Sequence, residues 1–204
     1  MSVFQYPSQP HRRLHGPAGY ANYKAYKPWL RDEFVFRCIY CLMREAWYPS
    51  GAAAFSADHF VPQVNAPELA CNYDNLLYAC IRCNSLKQDG RVLNPWRVRM
   101  SRHLEILADG RIRAKTRQAV LHVEVLGLDD DEPTEYRARI LRTLRRLRGL
   151  TDEESREEMR SWFGFPRNLP NLGAMRPPGG NKRPGGVAGC HYNRREAGEL
   201  PELY

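Results

Sequence analysis

A chain of 204 residues with 43% hydrophobic content can form one compact domain with extensions, and no apolar run approaches the roughly 18–20 residues that span a bilayer. The opening stretch MSVFQYPSQPHRRLHG lacks an apolar segment followed by a cleavage site, so a secretory signal is not expected and a cytoplasmic setting is. The net charge of +8 and pI near 9.3 fit a polyanionic partner without identifying one.

In chain order, residues 1–28 read as an arm with little regular structure, in which His11, Arg12, Arg13, His15, Lys24 and Lys27 alternate with Tyr20, Tyr23 and Tyr26. Such an arm contacts a nucleic-acid strand through cations and stacked rings, or it drapes over the domain through its aromatics; both readings stay open. Residues 29–99 hold a cysteine and histidine constellation. Residues 100–165 follow as an extension. In it HLEILADGRIRAK alternates about an Asp109-Gly110 turn and predicts a hairpin. QAVLHVEVLGL predicts a further strand or a short buried segment. DDDEPTEYRARILRTLRRLRG predicts a helix, capped by Asp131, with Pro133 in its first turn and Gly149 as its stop. Tyr136, Ile140, Leu144 and Leu147 form its apolar stripe. Arg137, Arg139, Arg142, Arg145, Arg146 and Arg148 form a basic face, either merely solvated or tracking phosphates. Thr151 with Glu154 predicts a capping box for a short helix ending near Trp162. Residues 166–204 are dense in Pro and Gly and are expected to be a flexible tail.

Four of the six cysteines fall in two pairs, Cys38-x-x-Cys41 and Cys80-x-x-Cys83. Each pair can form a tight knuckle, and two knuckles supply the tetrahedral thiolate set of a closed structural zinc site. In a cytoplasmic chain such pairs bind metal rather than form disulfides. Cys71 is expected to be a small buried residue and Cys190 a tail thiol; His191 beside Cys190 is only a faint hint of metal.

Between and after the knuckles lie AFSADHFVPQ and NYDNLLYACIRCNSLK. Asp58 and His59 end a short apolar segment before Pro62, Asn75 precedes a strand, and Asn84 follows the second knuckle where a helix should begin and run to about Gly90. Phosphodiester hydrolysis needs a general base for water and a hard cation on the phosphate, with oxygen ligands if that cation is magnesium. His59 can be the base, and Asp58 and Asn84 the oxygen donors. Asn75 can hold backbone or imidazole and so steady His59. Lys87 can reach a phosphate, pair with Asp58, or be an ordinary solvated lysine. Asn84 can equally cap the helix.

The ordered set Cys-x-x-Cys, Asp-His-x-x-Pro, Asn-Leu, Cys-x-x-Cys-Asn-x-x-Lys resembles the HNH endonuclease family over about Cys38 to Lys87. The resemblance implies an α+β chain: a small ββα-metal core of two antiparallel strands and a helix around one catalytic metal, stapled by zinc, with a C-terminal hairpin and helical extension. It implies His59 as general base, Asp58 and Asn84 as ligands of Mg2+ or Mn2+, Asn75 as the residue steadying the base loop, and Cys38, Cys41, Cys80 and Cys83 as ligands of structural Zn2+. DHFVPQ and NSLK are also similar to the HNH domain of CRISPR effector nucleases. Many members carry His at the position of Asn84; the amide keeps an oxygen donor and favours harder metals.

The expected activity is hydrolysis of DNA leaving 5′-phosphate and 3′-hydroxyl ends, with RNA left open as a substrate. Lys87, Arg142, Arg145 and Arg146 are the expected nucleic-acid contacts, made to phosphates without sequence readout. A zinc-stapled nucleic-acid-binding module without catalysis is the alternative, and a protein-interaction module a third. Adjacent residues on a flat strand face opposite ways, so Asp58 and His59 can serve one phosphate only at a strand end. The family analogy points to a prokaryotic or phage setting.

Overall fold

The computed structural model describes residues 3–204, so the first two residues of the expected arm lie outside it. The helices are α1 (Lys27–Glu33), α2 (Ile81–Lys87), α3 (Met100–His103), α4 (Arg117–Val125), α5 (Asp131–Leu147), α6 (Glu153–Phe163), α7 (Gly185–Ala188) and α8 (His191–Glu196). The strands β1 (Phe55–His59) and β2 (Leu76–Cys80) pair antiparallel, as do β3 (Leu104–Ile106) and β4 (Ile112–Ala114). The fold is α+β. No helix is long and apolar enough to cross a membrane among the described residues.

The chain divides into two compact units that interleave in sequence. One comprises Arg12–Asn84 and Phe165–Glu202; the other comprises Ser85–Gly164 with the described part of Met1–His11 and Leu203–Tyr204. The division falls inside α2, and neither terminal segment forms a separate body.

In the first unit β1 and β2 are followed without a linker by α2, a ββα unit. Phe55 lies opposite Cys80 and His59 opposite Leu76. Arg31 on α1 donates to both carboxylate oxygens of buried Glu45, at 2.9 and 2.8 Å, and Tyr78 on β2 donates to Glu45 at 2.6 Å. One carboxylate thereby ties α1 to the sheet.

Of the two readings of the N-terminal arm, packing accounts for its central residues. Arg13 donates to the carbonyls of Tyr73 and Leu76 and lies 4.7 Å over the Tyr73 ring. His15 is fully buried and donates from Nε2 to Asp32 Oδ2 at 2.8 Å. Tyr26 is buried beneath Tyr20. Arg12 and Lys24 stay exposed.

Residues 166–204 are no flexible tail. Pro17 and Asn181 form an antiparallel bridge; Ala18 N donates to Gly180 O, and Gly179 N donates to Ala18 O, each at 2.9 Å. A Cβ on Gly19, whose φ is +84°, would sit 2.3 Å from the Gly179 nitrogen. The glycines that suggested disorder are what lets two backbones lie this close. Further on, His191 donates from its amide and from Nδ1 to Asp32 Oδ1, at 2.8 and 2.9 Å. Cys190 is buried, not a loose thiol, whereas Cys71 is half-exposed and donates to the Ala21 carbonyl at 3.2 Å. Neither Cys190 nor His191 joins a metal-ligating group among the described residues.

Asp32 thus binds both terminal segments to α1. Burial alone would raise its carboxyl, but the donors on His15 and His191 outweigh burial and hold it at about 2. The unfolded value is about 3.9. A depressed folded value means that this stabilisation is complete above the unfolded value and is lost as pH falls through about 2. Asp32→Asn should therefore cost about 2–3 kcal/mol at pH 7 in urea melts. That gap between variant and wild type should close towards pH 2; comparing the two chains cancels any loss of thiol-bound metal.

In the second unit the Asp109-Gly110 turn joins β3 to β4 as expected, with Gly110 N donating to Leu107 O at 3.0 Å. Gly110 has φ +89°, and a Cβ there would meet the α5 backbone 2.4 Å away at Thr134 O. Arg137 was expected on the basic face; it is buried instead and donates to the carbonyls of Gly110 and Leu128. QAVLHVEV is a helix rather than a strand. Thr116 caps it by accepting from Ala119 N, and Ala119, His122 and Leu126 turn inward at helical spacing. Packing overrides the β preference of its valines. The caps of the next two helices also shift by one residue: Asp130 precedes α5, and Asp152 caps α6 by accepting from Ser155 N.

Candidate active site

The two cysteine knuckles set where α2 starts. In the first, Cys38 N donates to Met43 O at 2.8 Å and Leu42 N to Cys38 O at 3.0 Å. Leu42 turns at φ +60°, a conformation that costs a side-chain-bearing residue about 1–2 kcal/mol. The second knuckle spans the junction of β2 and α2, with Cys80 ending the strand and Cys83 in the first helical turn.

The four sulfurs are buried and lie within 4.8 Å of one another, with Cys41 and Cys80 3.7 Å apart. A tetrahedral zinc with bonds of about 2.3 Å spaces its sulfurs about 3.8 Å apart, so the set fits that ion. Cys41 and Cys83 are pushed up foremost by their interaction with Cys38. Four thiols this crowded ionise together only against a cation.

α2 begins at Ile81, earlier than expected, and ends at Lys87. Asn84 is therefore inside the helix and is not its cap. Its Nδ2 donates to Ser56 Oγ at 2.9 Å, which turns the amide oxygen away from the hydroxyl. Ser56 and Asp58 share one face of β1, because side chains alternate. Asn84 thus lies over the face that carries Asp58. Asp58 is buried, and its Oδ2 accepts from the hydroxyl of Tyr40, inside the first knuckle. Burial and the Asp58 charge push the Tyr40 phenol well above its usual range, so it remains a donor.

His59 occupies the opposite face at the last position of β1. Its Nε2 lies 2.9 Å from the Ala70 carbonyl oxygen. A carbonyl only accepts, so Nε2 carries the proton and Nδ1 is the basic nitrogen. The exposed amide of Gln63 lies 3.0 Å from the same Nε2 and must present its oxygen there in that tautomer. Tyr23 packs edge-on against the ring at 4.7 Å. Asn75 does not bond the imidazole. Its amide accepts from Val61 N at 2.8 Å and donates to Val61 O at 3.0 Å, and its carbonyl accepts from Phe60 N at 2.9 Å. It clamps the chain directly after the histidine.

This ββα frame, with its knuckles and its Asp-His strand end, coincides with a family match. A family model described as HNH endonuclease matches residues 38–90. Those residues form an HNH domain. The Septu protein PtuB of Bacillus thuringiensis is 30% identical over 99 residues, covering 44% of this chain and 37% of the relative. The chain spans little more than a third of the length of the relative it matches.

Lys87, in the last turn of α2, is buried, so it is not the solvated lysine the sequence allowed. The α5 arginines lie outside the HNH domain and in the other unit. Arg142, Arg145 and Arg146 are exposed; Arg146 pairs with Glu158 on α6 at 2.6 Å, and Arg145 Nε donates to Leu141 O at 3.3 Å. Sequence reasoning passed over Ser56, Tyr40 and Ala70. Ser56 is legible from strand alternation, two residues before Asp58. Tyr40 and the Ala70 carbonyl carry no such signal, since they meet the site only through the tertiary fold.

Proposed function

We propose that the HNH domain hydrolyses phosphodiester bonds of DNA, with His59 as general base. The observation that carries this reading is the tether of His59 Nε2 to the Ala70 carbonyl, which presents Nδ1 as a proton acceptor at a strand end beside Asp58. Successive residues of a strand are only about 3.3 Å apart, so groups on both faces can serve one phosphate lying past its end.

Asp58 and the amide oxygen of Asn84 offer hard oxygens on a common face and would hold Mg2+ or Mn2+. When bound there, the cation would offset charge on the pentacovalent phosphate and the departing oxygen. His59 Nδ1 takes a proton from water as the water oxygen bonds to phosphorus. The P–O3′ bond breaks, its electron pair leaves with the 3′ oxygen, that oxygen takes a proton from solvent water, and 5′-phosphate and 3′-hydroxyl ends result; the proton on His59 is later lost to solvent. Asn75 keeps the base loop from swinging. Lys87 adds positive charge one turn along α2 from Asn84. Arg142, Arg145 and Arg146 are assigned to backbone phosphates, which hold DNA without reading sequence. The PtuB relative is bacterial, which supports a cytoplasmic role.

The test is a supercoiled plasmid incubated with the full chain in Mg2+, in Mn2+, and in EDTA with Mg2+ restored. Cutting should appear with either cation, stop with the chelator and return on restoration. Salt-sensitive DNA binding without cutting in any divalent metal would leave the binding-module reading in its place.

A further inference from the structure

The ring of Tyr40 is fully buried between Cys38 and Cys41, yet its hydroxyl leaves the knuckle and donates to Asp58 on β1. A buried hydroxyl without a partner is costly, so the contact holds both groups in place. The bond is made to Oδ2, one of the two oxygens of a carboxylate that is itself buried. The knuckle backbone is itself rigid: Ile39 N donates to the Tyr78 carbonyl at 3.0 Å, on the strand that pairs with β1. The phenol oxygen is therefore referenced to the same sheet as the carboxylate it holds.

We infer that Tyr40 is a positioning residue, which transmits the order of the cysteine knuckle to Asp58 and fixes the orientation in which that carboxylate meets the divalent cation. This rests on the reading of Asp58 as a metal ligand. Removing a partner that orients a ligating group commonly costs about 10–100-fold in metal affinity. The zinc clamp then does more than start α2: it also aims a ligand of the second ion.

Mn2+ binding to the zinc-loaded full chain, followed by electron paramagnetic resonance, tests this without recourse to cutting. Asp58→Ala should abolish the site. Tyr40→Phe should bind Mn2+ about 10–100-fold more weakly with its zinc content unchanged. In plasmid cutting, Tyr40→Phe should need correspondingly more Mn2+ and approach the wild-type rate at saturation, a split that a merely structural role would not produce. Wild-type Mn2+ affinity in Tyr40→Phe overturns the inference. Asp58-dependent Mn2+ binding that Tyr40→Phe weakens, with no cutting by the wild type, overturns the nuclease reading and leaves the role of Tyr40 standing. Should Tyr40→Phe lose zinc, 3-fluorotyrosine placed at position 40 keeps the hydroxyl. Its fluorine resonance should shift when Mg2+ is added and stay still in the Asp58→Ala background; a resonance indifferent to Mg2+ in the wild type overturns the inference.

Discussion

His59→Ala, purified with its zinc, is expected to cut plasmid about 10²–10⁴-fold more slowly than the wild type, the loss typical of a general base. The side chain is half-exposed, and its polar contacts include a carbonyl and a surface amide. Removing it should therefore change the melting temperature little, and the loss of rate would report chemistry. Nε2 is committed to Ala70, so only Nδ1 can take the proton, and a side chain without nitrogen has no substitute. Rates are to be compared in saturating Mg2+ at one pH, with zinc content and melting temperature measured on the same samples. An unchanged rate would remove His59 from the mechanism.

The second large effect belongs to the clamp. Cys80→Ser, or extraction of zinc by a strong chelator, is expected to unfold the unit that carries the HNH domain. Structural zinc in small thiolate sites contributes on the order of 10 kcal/mol, comparable to the whole stability of a typical domain, about 5–15 kcal/mol. The cysteines here are buried, and Cys80 both ends β2 and precedes α2, so its loss frees the strand, the helix start and Asn84 together. Near-ultraviolet circular dichroism and zinc stoichiometry should fall in parallel. A Cys80→Ser chain that keeps its spectrum without zinc would show that the β1, β2 and α2 packing stands alone.

Much of the candidate site was legible in the sequence because its residues are close together in the chain. The two Cys-x-x-Cys pairs, Asp58-His59 before Pro62 and Asn84 after Cys83 are contiguous signals, and the ββα order follows from them. What was not legible depends on contacts between distant segments. The helix at residues 117–125 carries valines that favour strands, and packing decided against them. Arg137 belongs to an arginine-rich face by pattern, yet the close approach of Gly110 to α5 draws it inside. The Pro- and Gly-rich segment after residue 166 lacks a hydrophobic pattern of its own; it is ordered by a backbone pairing with residues 16–19 and by Asp32, neither of which has a local signature. Tyr40 reads as a residue between two cysteines until the fold brings β1 beneath its hydroxyl.

The proposed roles also account for the closeness of the cysteine clamp to the candidate catalytic residues. Asn84 hangs from a helix whose first turn contains Cys83, and Asp58 is held by a tyrosine two residues from Cys38. Each oxygen donor of the proposed catalytic ion is thus one contact away from the clamp. A small domain gains from this arrangement, because an ordered metal staple replaces the core that would otherwise hold those side chains.

The most direct test of the central claim compares the wild type with Asp58→Ala, both zinc-loaded, on supercoiled plasmid in Mg2+. The wild type is expected to convert the plasmid to nicked or linear DNA, and Asp58→Ala to leave it supercoiled at equal zinc content. Equal cutting by both chains, or none by the wild type in either Mg2+ or Mn2+, would contradict that claim.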